Sequence, residues 1–165
     1  MHAVVVIESC FGNTSQVADA ITDGLRCSGV EVQTYASASA PRRLSADLVL
    51  VGAPTHNMGL PTTASRGQAN QKGGDAPTTG VREWLDDVEA LDGRVVTFST
   101  TTGGFMAGSA GKAIVKALRR RRISAEHGAD FTVRGTPGPM ADGELERARV
   151  WGRTLAAGRV RRSVR

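Results

Sequence analysis

His2-Ala3-Val4-Val5-Val6-Ile7-Glu8-Ser9-Cys10-Phe11-Gly12-Asn13-Thr14-Ser15 opens on an unbroken apolar run and passes directly into a loop of small and polar residues. Continuous rather than alternating hydrophobicity is the pattern of a strand covered on both faces, as in a parallel sheet flanked by helices. After the loop, Val17, Ile21 and Leu25 recur every fourth residue with Ala18 beside them, which predicts a helix with one buried stripe. Strand, polar loop and helix in that order make the first unit of an α/β domain.

The same alternation continues outward from this stretch. Gly29 is a helix stop, and residues 30–34 alternate apolar and polar positions as an edge strand does. Residues 41–46 read as one or two helical turns, and 47–53 as a second fully apolar strand running into Pro54. Residues 55–79 form a long stretch rich in Gly, Thr, Asn and Pro, well beyond the common connection of about 2–6 residues, so a functional loop is expected there. Val81, Trp84, Leu85, Val88 and Leu91 have helical spacing, with Thr78 or Thr79 as cap. Asp92-Gly93 turns the chain into a third buried strand over 94–99. A helix is expected over 109–122, a last strand centred on 131–133, and a closing helix with the stripe Leu145, Ala148, Trp151 and Leu155, capped near Asp142. Five strands alternating with helices imply a parallel sheet with right-handed crossovers and helices on both faces.

The 165 residues, 40% of them hydrophobic, suit one domain over 1–158 followed by a basic tail at 159–165. The first ten residues carry neither a basic leader nor an apolar run long enough to span a membrane, so a cytoplasmic location is expected. Cys10 and Cys27 flank the first helix, which holds them about 25 Å apart and excludes a disulfide. The net charge of +5 is concentrated at Arg119-Arg120-Arg121-Arg122 and in the tail. Neither run is interleaved with aromatics, which argues against nucleic acid. They read as a solubilising helix end and tail, or as a patch for an acidic protein or another polyanion.

Ligands of open α/β sheets bind beyond the carboxyl ends of the strands, where strand order reverses. Three loops reach that rim. The first, Ser9-Cys10-Phe11-Gly12-Asn13-Thr14-Ser15, enters a helix and offers free N–H groups with hydroxyl and amide side chains, an anion cradle. It has no GxxxxGK[ST] pattern and no GxGxxG, so a single phosphomonoester is the simplest guest, against the bland reading of a polar turn that caps a helix. The other two are Pro54-Thr55-His56-Asn57-Met58 and Thr100-Thr101-Thr102-Gly103-Gly104.

Strand, Ser9-x-x-Gly12-Asn13-Thr14, helix resembles the FMN phosphate loop of the flavodoxins, usually written T/S-x-T-G-N/x-T. Gly52-x-Pro54-Thr55 and residues 99–104 resemble that family's loops beside the flavin ring, and the correspondence covers nearly the whole chain at the length of its short-chain members. Glu8-Ser9-x-Phe11-Gly12-Asn13-Thr14, Pro54-Thr55-His56 and the late Gly138-Pro139 and Gly143-Glu144 look like a bacterial branch of flavodoxin-domain proteins. The resemblance implies a flavodoxin-like three-layer sandwich with a five-stranded parallel sheet in the order 2-1-3-4-5. It also implies bound FMN, with phosphate on Ser9, Asn13, Thr14 and Ser15 and the ring against Thr55, the backbone of 56–58 and residues 100–104.

Three departures from the family carry expectations of their own. Phe11 replaces a common Thr, and Glu8 must point away from a phosphate or pair with an Arg. The usual flanking aromatics are missing, leaving His56, Met58 and Phe105 to cover either the ring or the core rim. Family carriers are usually acidic, whereas this chain is basic.

Candidates for a catalytic side chain are His56, as a proton or hydrogen-bond donor, and Cys10, whose place at a helix N-terminus suggests a lowered pKa. Cys10 lacks the arginine of a C-x₅-R phosphatase loop, Cys27 reads as a buried or half-buried filler, and Ser9, Ser15 and Ser99 show no His/Asp pairing. No ligand spacing suggests a metal. The main expectation is an electron-transfer flavoprotein with a redox partner protein. Its alternatives are a small NAD(P)H-dependent reductase of quinones or similar acceptors, a flavodoxin-fold binding module without flavin, and a polyanion-binding protein. A monomer and a homodimer both suit the pattern, and the reductase reading gains if residues 58–79 order on dimerisation.

Overall fold

The computed structural model describes residues 1–158, and the basic tail expected at 159–165 lies outside them. The strands are β1 (His2–Ile7), β2 (Glu31–Ala36), β3 (Arg43–Pro54), β4 (Ala90–Thr101) and β5 (Glu126–Thr132). Between and after them run α1 (Asn13–Cys27), α2 (Thr63–Gln71), α3 (Val81–Asp87), α4 (Ala110–Arg120) and α5 (Glu144–Ala157). All strand pairings are parallel, in the order β2-β1-β3-β4-β5.

The period of two in β1 and β3 explains the layers. Ala3, Val5, Leu48 and Leu50 face Val17, Ile21 and Leu25 of α1 and Leu155 of α5. Val4, Val6, Val49 and Val51 face Trp84 and Leu85 of α3 and Ile114 and Leu118 of α4. Both faces of the central strands are thereby dry, as their uninterrupted apolar sequence requires.

Local expectations are corrected at several points. Residues 41–46 are not helical: a 3-10 turn occupies Ser37–Ser39, and β3 begins at Arg43, with Leu44 in register with Leu91. The segment 55–79 contains α2. The expected helix through Leu91 stops at Asp87, because Val88 turns extended and Leu91 enters β4. Neither Thr78 nor Thr79 caps α3; Gly80 does, its N–H bonded to Glu83. Gly143, next to Asp142, caps α5 where a cap was expected, and β5 ends at Thr132. Cys27 is exposed, not a filler. Among the described residues, no helix is long and apolar enough to cross a membrane.

Candidate functional site

The carboxyl ends of β1, β3 and β4 open onto a cleft of about 300 Å³, at the low end of the range of small-ligand pockets. Its first wall is the loop between β1 and α1, represented by Ser9, Cys10, Phe11, Asn13 and Thr14. Gly12 shapes that loop at φ +91°, a left-handed conformation that glycine adopts without strain. The Ser9 hydroxyl accepts from the N–H of Gly12 (3.1 Å) and Ser15 (3.4 Å). Thr14 Oγ1 lies 2.9 Å from Thr100 Oγ1, and Asn13 Nδ2 donates to Pro137 O at 2.7 Å. These bonds occupy the side chains and leave the N–H groups of Cys10, Phe11, Asn13 and Thr14 without a protein acceptor among the described residues. Such a concave set at the positive end of a 15-residue helix favours an anion.

Pro54, Thr55, His56 and Asn57 form the second wall, and Thr100, Thr101 and Thr102 the third. Asn57 and Met58 sit at φ 48° and 68° in a tight turn closed by reciprocal hydrogen bonds between His56 and Gly59, each 2.9 Å. Thr55 joins the two walls, donating its N–H to Thr100 O (2.8 Å) and accepting the Ala110 N–H on Oγ1 (3.0 Å). Gly12, Ser15, Met58, Gly103 and Gly104 do not line the cleft. Met58 and Phe105 do not cover the core rim: they are 59% and 102% exposed, with Met106 at 70%.

The sequence reading missed a fourth wall. Ser65, Gln68 and Ala69 of α2, with Lys72 just beyond it, also line the cleft. Ser65 also meets His56, whose Nδ1 lies 2.9 Å from its Oγ. Burial pushes the His56 pKa down, opposed by Glu8 and reinforced by Arg66, which favours the uncharged imidazole.

Beneath α2 lies a buried ion cluster. Arg66 Nε donates to Glu8 Oε1 at 2.6 Å, and its terminal nitrogens grip both oxygens of Glu83 at 2.8 Å. Glu8 Oε2 accepts the Val81 N–H at 2.8 Å. Glu8 thus meets the condition its position sets: its carboxylate pairs with an arginine. Burial works against the charge on Glu83, but the bonds from Arg66 and the Gly80 N–H outweigh it and hold its carboxyl down at about 2. Cys10 corrects the expectation of a reactive thiolate: burial, then the neighbouring Glu8 charge, push its thiol up to about 12 despite Arg66.

A second polar cluster joins β4, β5 and the start of α4. The Ser99 and Ser109 hydroxyls both donate to Asp130 Oδ1, Ser109 at 2.7 Å, and His127 Nε2 lies 3.2 Å from Oδ2. Ser99 does therefore have Asp and His neighbours, contrary to expectation. The carboxylate stands between hydroxyl and imidazole, so no base reaches the serine and no nucleophile triad exists here. Burial opposes the Asp130 charge, but the bonds from His127, Ser99 and Ser109 hold it down at about 2. A depressed carboxyl pKa stabilises the fold above its ordinary value of 3.8, and that contribution disappears as pH falls through about 2. Ser99→Ala is therefore expected to lower stability at pH 7 by more than at pH 2.5, as read from urea unfolding at both; an equal loss would mean that the hydroxyl acts through packing alone.

Three layers, this strand order and a loop-lined cleft where the order reverses define the chain as having a flavodoxin-like fold. A flavodoxin from the domain Archaea superposes with a TM-score of 0.62 at 19% identity, covering 96% of this chain and 98% of that one. The Streptococcus pneumonia TIGR4 flavodoxin gives 0.61 at 18%, covering 96% and 99%. Rubredoxin oxygen:oxidoreductase from the anaerobe Desulfovibrio gigas gives 0.62 at 16%; 99% of this chain aligns, spanning 37% of that longer one. At these identities the likeness is one of fold. No family model and no curated protein matches the chain.

Proposed function

We propose that this protein binds FMN in the cleft and takes part in electron transfer. The observation that carries the reading is the set of N–H groups on Cys10, Phe11, Asn13 and Thr14 without a protein acceptor among the described residues, at the head of α1 and at the β1/β3 reversal of strand order. They suit the phosphate, while the His56 turn and the threonines of β4 offer polar edges to a ring. When bound, the flavin supplies the redox chemistry. The chain's own part is to orient it: Thr55 and Thr100 fix the spacing of the two walls, and His56 presents a hydrogen-bonding ring whose pKa is held down by burial.

An acidic redox protein is the partner this reading fits. Lys112, Lys116, Arg119 and Arg120 are exposed on α4, and residues 102–125 contain no Asp or Glu. Arg121 is not part of that stripe, because its guanidinium donates twice to Val88 O (3.0 and 2.7 Å).

The test is titration with FMN, read by flavin fluorescence. Ser9→Asp places a carboxylate among the N–H groups that a phosphate would use, so it is expected to weaken FMN binding roughly 20-fold. Wild-type protein that binds no flavin would leave a fold without electron transfer. Reduction of the bound flavin by NADPH alone would favour the reductase over the carrier.

A further inference from the structure

His56 and Ser65 both line the cleft and come from different elements, the turn after β3 and the first turn of α2. Both are held in place. The N–H and C=O of His56 are taken by Gly59, and Ser65 belongs to the reciprocal cap that starts α2. The Ser65 hydroxyl stands in three contacts: the Thr62 N–H at 2.9 Å, Thr62 O at 3.2 Å and His56 Nδ1 at 2.9 Å.

A hydroxyl has one proton to give and two lone pairs to accept with. The Thr62 N–H can only donate, so it takes one lone pair. Thr62 O can only accept, so it takes the proton. The contact with His56 then falls on the second lone pair, and Nδ1 must bring the hydrogen. In the reverse arrangement the hydroxyl proton goes to Nδ1 and the bond to Thr62 O is lost, one bond fewer for the same atomic positions. Burial favours the uncharged ring, and an uncharged imidazole with its proton on Nδ1 has a bare Nε2. Among the described residues Nε2 has no hydrogen-bond partner.

We propose that Ser65 fixes His56 as the tautomer protonated on Nδ1, leaving Nε2 toward the cleft as an acceptor for an N–H or O–H in the plane of a ligand ring. The place of His56 in the sequence suggests a donor; the bonds around Ser65 reverse that role. A ring whose edge carries such a donor, as an imide or a quinol does, is preferred over one whose edge carries only carbonyls, because two acceptors facing each other leave both unpaired. Ser65 acts through His56 and is a positioning residue. That the ligand is FMN, whose ring has an imide N–H, rests on the function proposed above; the tautomer does not.

The test is proton–nitrogen NMR of the His56 ring in the full chain at about pH 8, above the ordinary imidazole value of 6.5. Long-range correlations distinguish a protonated ring nitrogen from a bare one. Wild type is expected to carry the hydrogen on Nδ1, and a hydrogen on Nε2 instead overturns the inference. Ser65→Ala should lose that preference and bind FMN roughly fivefold more weakly, and Ser65→Thr, which keeps a hydroxyl, should restore both. Thr62→Ala weakens the same helix cap but leaves the Ser65 hydroxyl and the Thr62 backbone, so its ring should match wild type. A change as large as that of Ser65→Ala would mean that a loosened helix, not the hydroxyl, sets the tautomer. On titration with FMN the Nε2 resonance should move upfield, as an accepting nitrogen does. FMN that binds without moving it overturns the acceptor role and leaves the flavin reading intact. Should wild type bind no FMN, hydroquinone, a ring with O–H donors at its edge, is titrated instead: the same movement supports the acceptor without the flavin, and none overturns it.

Discussion

Arg66→Met is expected to destabilise the protein by about 3–5 kcal/mol at neutral pH, measured as a lower urea midpoint. The guanidinium is 3% exposed and the Glu8 carboxyl 0%, so the substitution strands a charge that water cannot reach. Glu83, at 33%, can turn outward and loses less. Removing both buried charges is a different experiment. In Glu8→Gln with Arg66→Met the amide oxygen still accepts the Val81 N–H and no ion is left in the interior, so at least half of the loss should return. If the double variant is as unstable as Arg66→Met, the cluster acts through shape and not through charge. The single variant should also loosen α2, which has few other anchors: only Ser65, Arg66 and Ala69 of its residues are buried. Any ligand that uses Gln68 or Lys72 would then bind more weakly even where the fold survives.

The same helix shows where the sequence stops being legible. β1 and the middle of β3 declare themselves by continuous apolar runs, and α1 by Val17, Ile21 and Leu25, because each pattern is local. α2 has no apolar stripe to declare. Its residues Thr63-Ala64-Ser65-Arg66-Gly67-Gln68-Ala69-Asn70-Gln71 read as a polar loop, and its start is fixed by a reciprocal cap between Thr62 and Ser65. Its main attachment, Arg66 to Glu8, spans 58 positions, so nothing near either residue reveals the other. Glu8 alone gave a signal: a carboxylate beside an expected phosphate loop has to point away or pair with an arginine. Cys10 failed for a related reason. Its place beside a helix N-terminus suggests a low pKa, but burial and Glu8, both products of the tertiary fold, prevail. Val88 and Leu91 continue the spacing of α3, yet strand pairing of Leu91 with Leu44 wins over that periodicity.

Gly24→Ala separates stability from the cleft. At the crossing of α1 and α5, a Cβ on Gly24 would overlap the carbonyl oxygen of Arg149 and lie 3.1 Å from Arg153 N. Gly152 faces it from α5: a Cβ there would overlap Ile21 O and lie 3.2 Å from Gly24 Cα. The obstacles are backbone atoms of a helix, so no side chain can swing away and α5 itself must shift. That shift would disturb Trp151, which packs edge-on to Phe98 with ring centroids 6.4 Å apart and against Phe131 at 5.9 Å. Helix propensity favours alanine by about 1 kcal/mol, against an overpacking cost of about 3 kcal/mol or more. The expected net loss is about 2–3 kcal/mol, a fall in Tm of roughly 4–12 °C for a domain of this size. Gly24 lies eleven residues beyond the head of α1, about 16 Å along the helix, so the N–H groups at its start keep their places. Ligand affinity well below the melting range should therefore stay within about twofold of wild type, whereas Arg66→Met should lose both stability and affinity. A Gly24→Ala protein as stable as wild type would mean that α5 rides freely over α1, and the close glycine crossing would then have no part in holding the third layer to the sheet.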